Sequence, residues 1–353
     1  MKPFKNLTRS GRLRRLRELA HSALRQYRLE FARFVLVRDA GNTLYRVYSS
    51  KIITRTEENE LFIPDQYLLR LHWSGYRDES AIEFELKWLD KLRKEHDLPV
   101  PEPIPTRNGN FLIEVSHPGI PEPRYCSLLR WVKGKRLGDK ATSKHYAAQG
   151  RFMARMHDVA QIWLPARETK LRVYDWGGLF RTIPALCLPV DNIWSLLPKC
   201  YVGIFEEVTK DVRDTMEKLG KGKDVFGLIH ADLGVDANLL FWHGQPRAID
   251  FDEIGLGYWV YDLAVALEHC REHWDYKLYK DALLSGYYEI RKLPGDQIKF
   301  LDLFMAALDV HLGLWTNAVI SLHPGKHGIR RRLERCLKMI KIFLDTGRQG
   351  TIK

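Results

Sequence analysis

Apolar residues recur along the first part of the chain at two periods, and the changes of period mark the elements. Leu13, Leu16, Leu19, Ala20, Ala23, Leu24 and Tyr27 step mostly by three and four, the stripe of an amphipathic helix. FARFVLVRDAGNTLYRVYSSKII (residues 31–53) has β-branched and aromatic residues on both sides of Asp39-Ala40-Gly41-Asn42, which predicts strand, turn, strand. LFIPDQYLLRLHW (61–73) predicts another strand, with one cation, Arg70, inside its apolar run. From Ser80 to about Glu95 the helical period returns, with Ile82, Leu86, Leu89 and Leu92 on one face. DLPVPEPIP (97–105) cannot be helical, because its prolines lack donors and restrict their neighbours. NFLIEV (110–115) and RYCSLLRWV (124–132) predict two further strands, and Gly134 follows them.

Beyond Ser143 the pattern is mainly helical, over 143–159, 191–219, 259–272, 276–291, 296–321 and 327–345. The exception is LIHADLGVDANLLFWHGQPRAIDFDE (228–253). There, NLLFW (238–242) and RAIDF (247–251) predict a hairpin turning at HGQP. Pairing Trp242 with Arg247 would set Leu239 opposite Asp250 and bring Asn238 and Asp250 to the same end. The fold class expected is therefore α+β. A basic helical arm (1–26) precedes an antiparallel-sheet domain (27–133) and a mainly helical domain (134–353).

The same stretch carries the most telling chemistry. Asp232 lies in the loop that enters the hairpin mouth, so three oxygen-bearing side chains, Asp232, Asn238 and Asp250, converge. Close carboxylates repel and are costly to desolvate, and a cation between them relieves both costs. Carboxylate and amide oxygens suit Mg²⁺. Asp236 competes with Asn238 for the place beside Asp250, and strand-end capping is the plainer reading of all these residues.

Bulk properties narrow the setting. The chain has 353 residues, 45% hydrophobic, enough for two domains. No run reaches the ~18 apolar residues of a membrane span; Asp309 and His311 interrupt the longest, Leu303–Leu314. The five cysteines, Cys126, Cys187, Cys200, Cys270 and Cys336, form no C-x-x-C pair, which points to a reducing, cytoplasmic setting. The net charge of +12 is concentrated at the ends, in Lys2, Lys5, Arg9, Arg12, Arg14, Arg15 and Arg17 and in Arg330, Arg331, Arg332 and Arg335. Such clusters can bind nucleic acid or anionic lipid, can form a solvated helix face, or, at the N-terminus, can act as a transit peptide. No nucleic-acid reading motif accompanies them, so nucleic acid is not expected as a partner.

His230-Ala231-Asp232 with Asn238, then Ile249-Asp250-Phe251-Asp252, then Tyr261-Asp262-Leu263-Ala264 resemble the aminoglycoside phosphotransferase and choline kinase family. The resemblance runs from about Tyr27 to about Pro324; YLLRLH, EFELKWLDKL, LPVPEPIP and GRFMARMH fall in the family's order. It implies a two-lobed protein-kinase-like fold and transfer of the γ-phosphate of ATP to a hydroxyl, with Mg²⁺. It also implies that Asp232 orients the acceptor hydroxyl and takes its proton, and that Asp250 and Asn238 hold the metal. His230 would brace the loop and Asp262 would tie it to the next helix. Arg70 stands where kinases carry a phosphate-gripping lysine, with Glu85 as its partner. Backbone donors of Gly41, Asn42 and Thr43 would contact phosphates, and the adenine would lie against Arg130, Trp131 and Val132.

Two departures from the family pattern matter. Asn238 stands six positions after Asp232 where five is usual, a step that Gly234 could absorb at positive φ. That spacing leaves a pseudokinase or regulatory module as the rival reading. The phosphate loop has a single glycine, Gly41. Against a protein kinase, Asp252 rather than glycine follows Asp250-Phe251, and no A-P-E appears. A small hydroxylated molecule is thus the expected substrate: an aminoglycoside, choline or ethanolamine, homoserine or a sugar. Trp176, Trp194, Tyr201 and Phe205 are aromatic residues that could box a cation, or core packing. Asp252 and Glu253 could attract an amine.

Overall fold

A computed structural model of the chain describes residues 2–52, 64–181, 193–294, 296–322 and 330–347. Parts of the expected elements, residues 53, 61–63, 191–192 and 327–329, lie outside them, as do Cys187 and Pro324. The chain divides into two compact units, Met1–Lys133 with Glu168–Lys170, and Gly134–Arg167 with Leu171–Lys353.

In the first unit, helix α1 (Arg9–Gln26) starts at Thr8, whose hydroxyl accepts the Gly11 N–H at 3.2 Å. Strands β1 (Arg33–Ala40), β2 (Asn42–Ile52), β3 (Pro64–Leu71), β4 (Leu112–Val115) and β5 (Arg124–Arg130) form one antiparallel sheet in the order β1-β2-β3-β5-β4. Strand alternation divides its residues between two faces. Tyr45, Val47, Leu69, Leu71 and Leu128 pack in one cluster with Leu16, Leu19, Ala20, Ala23 and Leu24 of α1. The helix expected as a separate arm is therefore part of this unit's core, because its apolar stripe has the sheet to bury it. Two of its arginines serve the same packing: Arg15 donates to Gly119 O, and Arg17 lies over the Phe34 ring. Helix α2 (Glu79–Lys94) begins one residue before the predicted start, since Asp78 Oδ1 accepts the Ser80 N–H at 3.1 Å and caps it.

The second unit is built on α3 (Ser143–Ile162), α4 (Trp176–Phe180), α5 (Lys199–Leu219), α6 (Trp259–Leu267), α7 (Tyr276–Tyr288), α8 (Leu301–Leu322) and α9 (Arg330–Ile342). Helices α3 and α7 meet at backbone contact through two glycines. A Cβ at Gly150 would stand 2.0 Å from Leu283 O, and one at Gly286 would stand 2.0 Å from Ala147 O. Helix α5 starts at Lys199, after Pro198, later than predicted. The segment Gln297–Ser321, which includes most of α8, is long and apolar enough to cross a membrane by composition, yet 78% of its most apolar window is buried in the protein. Its Asp309 is paired with Arg271. It is a core helix.

This unit also holds a sheet that the periodicity of the sequence does not show. Strands β6 (Arg172–Tyr174), β7 (Phe226–Ile229) and β10 (Gly255–Tyr258) pair in the order β6-β10-β7, with β6 and β10 parallel. Each is only three or four residues long, and Gly255-Leu256-Gly257 reads as a turn. The glycines are required by closeness: a Cβ at Gly255 would lie 2.6 Å from Arg172 O, and one at Gly257 would lie 2.3 Å from Ile229 Cδ1. The hairpin consists of β8 (Leu239–Trp242) and β9 (Gln245–Ala248).

Candidate active site

The hairpin register differs from the expected one. Trp242 pairs with Gln245 and Leu239 with Ala248, so the turn is the two residues His243-Gly244, both at positive φ (49° and 76°). The correction is a shift of two, which preserves the side-chain faces. The pairing continues past the strands, because Ile249 N–H donates to Asn238 O at 2.9 Å. Asn238 and Asp250 therefore still sit at the same end.

Asn238 is buried. Its Nδ2 donates to Asp232 Oδ2 at 2.6 Å and to Asp232 O at 2.9 Å. With the nitrogen so committed, Oδ1 is the atom left for a cation. Asp250 takes up a left-handed backbone (φ 62°, ψ 67°) just past β9, a conformation that non-glycine residues rarely adopt. Burial first, then the charge of Asp250, pushes the Asp232 carboxyl up to about 6. Asp236 is exposed and lies 3.8 Å from His269 Nδ1. The extra residue is taken up in a turn over Val235–Asn238, closed by Ala237 N–H and Leu239 N–H, each 3.1 Å from Gly234 O. Gly234 does not adopt the positive φ expected of it. Its hydrogen matters for space, since a Cβ there would stand 3.2 Å from His269 and 3.3 Å from Asp236 Oδ1. The donor set, one amide oxygen and carboxylates held close together, fits a hard divalent cation such as Mg²⁺.

A buried lattice holds the loop. Ala231, also left-handed (φ 61°), donates its N–H to Asp262 Oδ1 at 2.7 Å, and His230 N–H donates to Oδ2 at 3.3 Å. His230 Nδ1 accepts the Asp232 N–H at 3.3 Å, and its Nε2 lies 3.2 Å from Ile249 O, so one imidazole ties the loop to the end of β9. Asp262 Oδ2 also meets His157 Nε2 at 2.9 Å, and His157 Nδ1 meets the Tyr287 hydroxyl at 2.9 Å. Burial raises Asp262, but the hydrogen bond and charge of His157 outweigh it, and the net shift is downward. Sequence reasoning assigned no role to His157. Its only signal was a place in GRFMARMH.

In the first unit, Arg70 and Glu85 are both buried and 2.7 Å apart. Arg77, not singled out from the sequence, holds the second oxygen of Glu85. Burial raises the Glu85 carboxyl, yet the charges of Arg70 and Arg77 hold it below the ordinary range. Glu83, two residues earlier and so on another face of α2, pairs with Lys87. At the β1–β2 turn, the Thr43 hydroxyl donates to Asp39 at 2.9 Å and Asn42 Oδ1 accepts the Trp73 N–H at 2.9 Å. These side chains thus serve the turn and its junction with β3. Arg130 Nε donates to Glu102 at 2.5 Å, and Trp131 N–H donates to Gln66 O at 2.8 Å; Val132 follows at the end of the unit.

Of the four aromatic residues open to either a cation box or core packing, Trp176, Trp194 and Phe205 are used internally. Trp176 Nε1 donates to Thr209 O at 2.9 Å, and the Trp176 ring lies against Arg213 (3.7 Å) and Arg181 (4.9 Å). Trp194 Nε1 donates to Phe180 O, and Phe205 is buried. Tyr201 is half-buried on α5. Glu253 is paired with Arg172 and accepts from Tyr174.

Known proteins share this arrangement of chain. A homoserine kinase from Sinorhizobium fredii is 27% identical over 281 residues, covering 78% of this chain and 79% of its own. An uncharacterized protein from Synechocystis is 28% identical over 284 residues, covering 77% and 74%. Among solved structures, a microcompartment-associated aminopropanol kinase superposes with a TM-score of 0.74 at 23% identity, covering 93% of this chain and 98% of the other. An amicoumacin kinase, in complex with AMP-PNP and Ca²⁺, reaches 0.72 at 17% identity, with 92% of each covered. These likenesses establish the protein-kinase-like fold. The sequence match to the family itself runs from residue 49 to residue 293, from β2 to beyond α7, and on that extent the chain belongs to the phosphotransferase enzyme family.

Proposed function

We propose that this protein transfers the γ-phosphoryl group of ATP, with Mg²⁺, to a hydroxyl of a small molecule. The observation that carries the reading is the contact between Asn238 and Asp232 beside Asp250, reached despite the unusual spacing. Asp232 is the base: a carboxylate at the mouth of the hairpin, fixed by Asn238, orients the acceptor hydroxyl and accepts its proton. Asp250 and the Oδ1 of Asn238 hold the metal, which supplies charge neutralisation for the phosphates when bound. Arg70, pinned by Glu85, serves the phosphates, as do the backbone donors of Gly41, Asn42 and Thr43. Arg130, Trp131 and Val132 serve the base of the nucleotide.

The relatives include kinases of homoserine and, by structure, of aminopropanol and ethanolamine. They support a small hydroxylated amine or amino acid as the acceptor. The test is ATP consumption with homoserine, ethanolamine, choline, 1-amino-2-propanol and an aminoglycoside, run beside Asp232→Asn. Acceptor-dependent turnover that disappears in the variant is expected. ATP·Mg binding with no turnover on any acceptor would instead establish the pseudokinase reading.

A further inference from the structure

The turn that follows α6, Glu268–Cys270, lies between the Asp232 loop and α9. On the loop side, His269 Nδ1 is 3.8 Å from Asp236, and a Cβ at Gly234 would stand 3.2 Å from the His269 ring. On the other side, Arg335 of α9 pairs with the Glu268 carboxylate and donates from Nη2 to Glu268 O at 2.8 Å. Glu272, just beyond, accepts Arg335 Nε and Lys338 Nζ, each at 2.8 Å. Residues 335 and 338 of α9 therefore face this turn. Arg332, three positions before Arg335, lies on the same stripe and one turn nearer the start of the helix. Its guanidinium is 5.8 Å from the centroid of the Trp315 ring on α8. Arg332 is exposed and has no ion pair among the described residues, whereas Arg271, Arg335 and Lys338 each meet a carboxylate. Its charge is felt at the site. Burial and the charge of Asp250 raise the Asp232 carboxyl, and the charges of His269 and Arg332 act against them.

We propose that Arg332 binds the carboxylate of the acceptor, so that the substrate is a short hydroxylated amino acid rather than an amino alcohol or an aminoglycoside. Asp232 and Asp250 give the loop a negative field. An ammonium group needs no further help there, but a carboxylate does, and an acceptor carrying ammonium groups alone would be repelled by an unmatched arginine. The planar fork of a guanidinium also matches a carboxylate with two parallel hydrogen bonds. The transferred phosphoryl group is the competing anion, and Mg²⁺ and Arg70 already serve it. The inference rests on Asp232 as the base of a phosphotransferase.

Homoserine and serine would each be compared with the same molecule lacking its carboxylate, 3-aminopropan-1-ol and ethanolamine, at saturating ATP·Mg. Arg332→Gln removes the charge, and Arg332→Lys keeps it but loses the fork. The wild type should favour each acid over its amino alcohol in kcat/KM. Arg332→Gln should reduce that preference about 30-fold, mainly through KM, as expected for loss of one charge-assisted pair. Arg332→Lys should recover part of it. The ratio isolates the contact, because the field of Arg332 at Asp232 acts on both acceptors alike and cancels. A wild type that prefers the amino alcohols would overturn the proposal. So would an equal loss on acid and amino alcohol, which would give Arg332 to the phosphoryl group or to the fold. If the wild type turns over no acceptor, the phosphotransfer reading falls, and thermal melting with homoserine decides the anion site by itself. A rise in Tm for the wild type that Arg332→Gln lacks would leave that site standing, and no rise would overturn it as well.

Discussion

Replacing Asp232 by asparagine should abolish turnover and at the same time make the metal-free protein more stable. The Asp232 carboxyl is raised from 3.8 to about 6 by burial and by the nearby charge of Asp250. Each unit is worth 1.36 kcal/mol, so ionising Asp232 in the folded chain costs about 3 kcal/mol relative to the unfolded chain. For a carboxylate raised in the folded state, stability is fully present below the unfolded value and is lost as pH rises through the folded one. The wild type should therefore lose stability between about pH 4 and pH 7, and Asp232→Asn should not. The asparagine can still accept from Asn238 Nδ2, so the 2.6 Å contact survives. Urea denaturation of both proteins in EDTA at pH 4 and pH 8 would measure the difference, with an expected gain for the variant at pH 8 of up to about 3 kcal/mol. A variant less stable than wild type at pH 8, or a difference equal at both pH values, would refute the reasoning. Asp262→Asn is the counter-case. Asp262 is held low and accepts from Ala231, His230 and His157, so its replacement should cost about 3–5 kcal/mol at neutral pH, and less in acid.

Asn238→Ala should lower kcat about 100-fold and raise the Mg²⁺ requirement, whereas Asp236→Ala, which removes only an exposed group, should change kcat less than two-fold; steady-state kinetics at several Mg²⁺ concentrations decide it, and the reverse order would hand the metal to Asp236. Glu85→Gln leaves Arg70 and Arg77 buried without their shared carboxylate and should destabilise by about 3–5 kcal/mol at pH 7. Glu85 is depressed in the folded chain, so the stability it supplies exists above the unfolded carboxylate value and is lost as pH falls; denaturation at pH 7 and pH 3.5 should show the gap to wild type narrowing in acid.

What the sequence revealed and what it hid divide along the range of the interactions. Periods of 3.6 and 2 report a single element against a single core, which is why α1, α2 and the strands of the first sheet were legible. The hairpin register was not, because HGQP reads as a four-residue turn, and its Pro246 lacks the donor that a ladder needs. It is tolerated opposite Phe241 because the N–H and C=O of Phe241 turn the other way, to Lys135, so that pair requires nothing from Pro246. No local pattern could show that Lys135, more than a hundred positions earlier, occupies that edge. The short strands with Gly255 and Gly257 were hidden for the same reason, since their glycines answer to Arg172 and Ile229, distant in sequence. The site shows the rule in its sharpest form. The family spacing argued against Asn238, yet a turn in this loop can lengthen by one residue and still deliver the side chain, because position is fixed from elsewhere. Asp262 grips the loop on one side, and the hairpin pairing through Asn238 O and Ile249 N fixes the other. A motif's spacing is thus a weaker constraint than the buried groups that hold its ends, and mutations at Asp262 should damage the site more than insertions between Gly234 and Asn238.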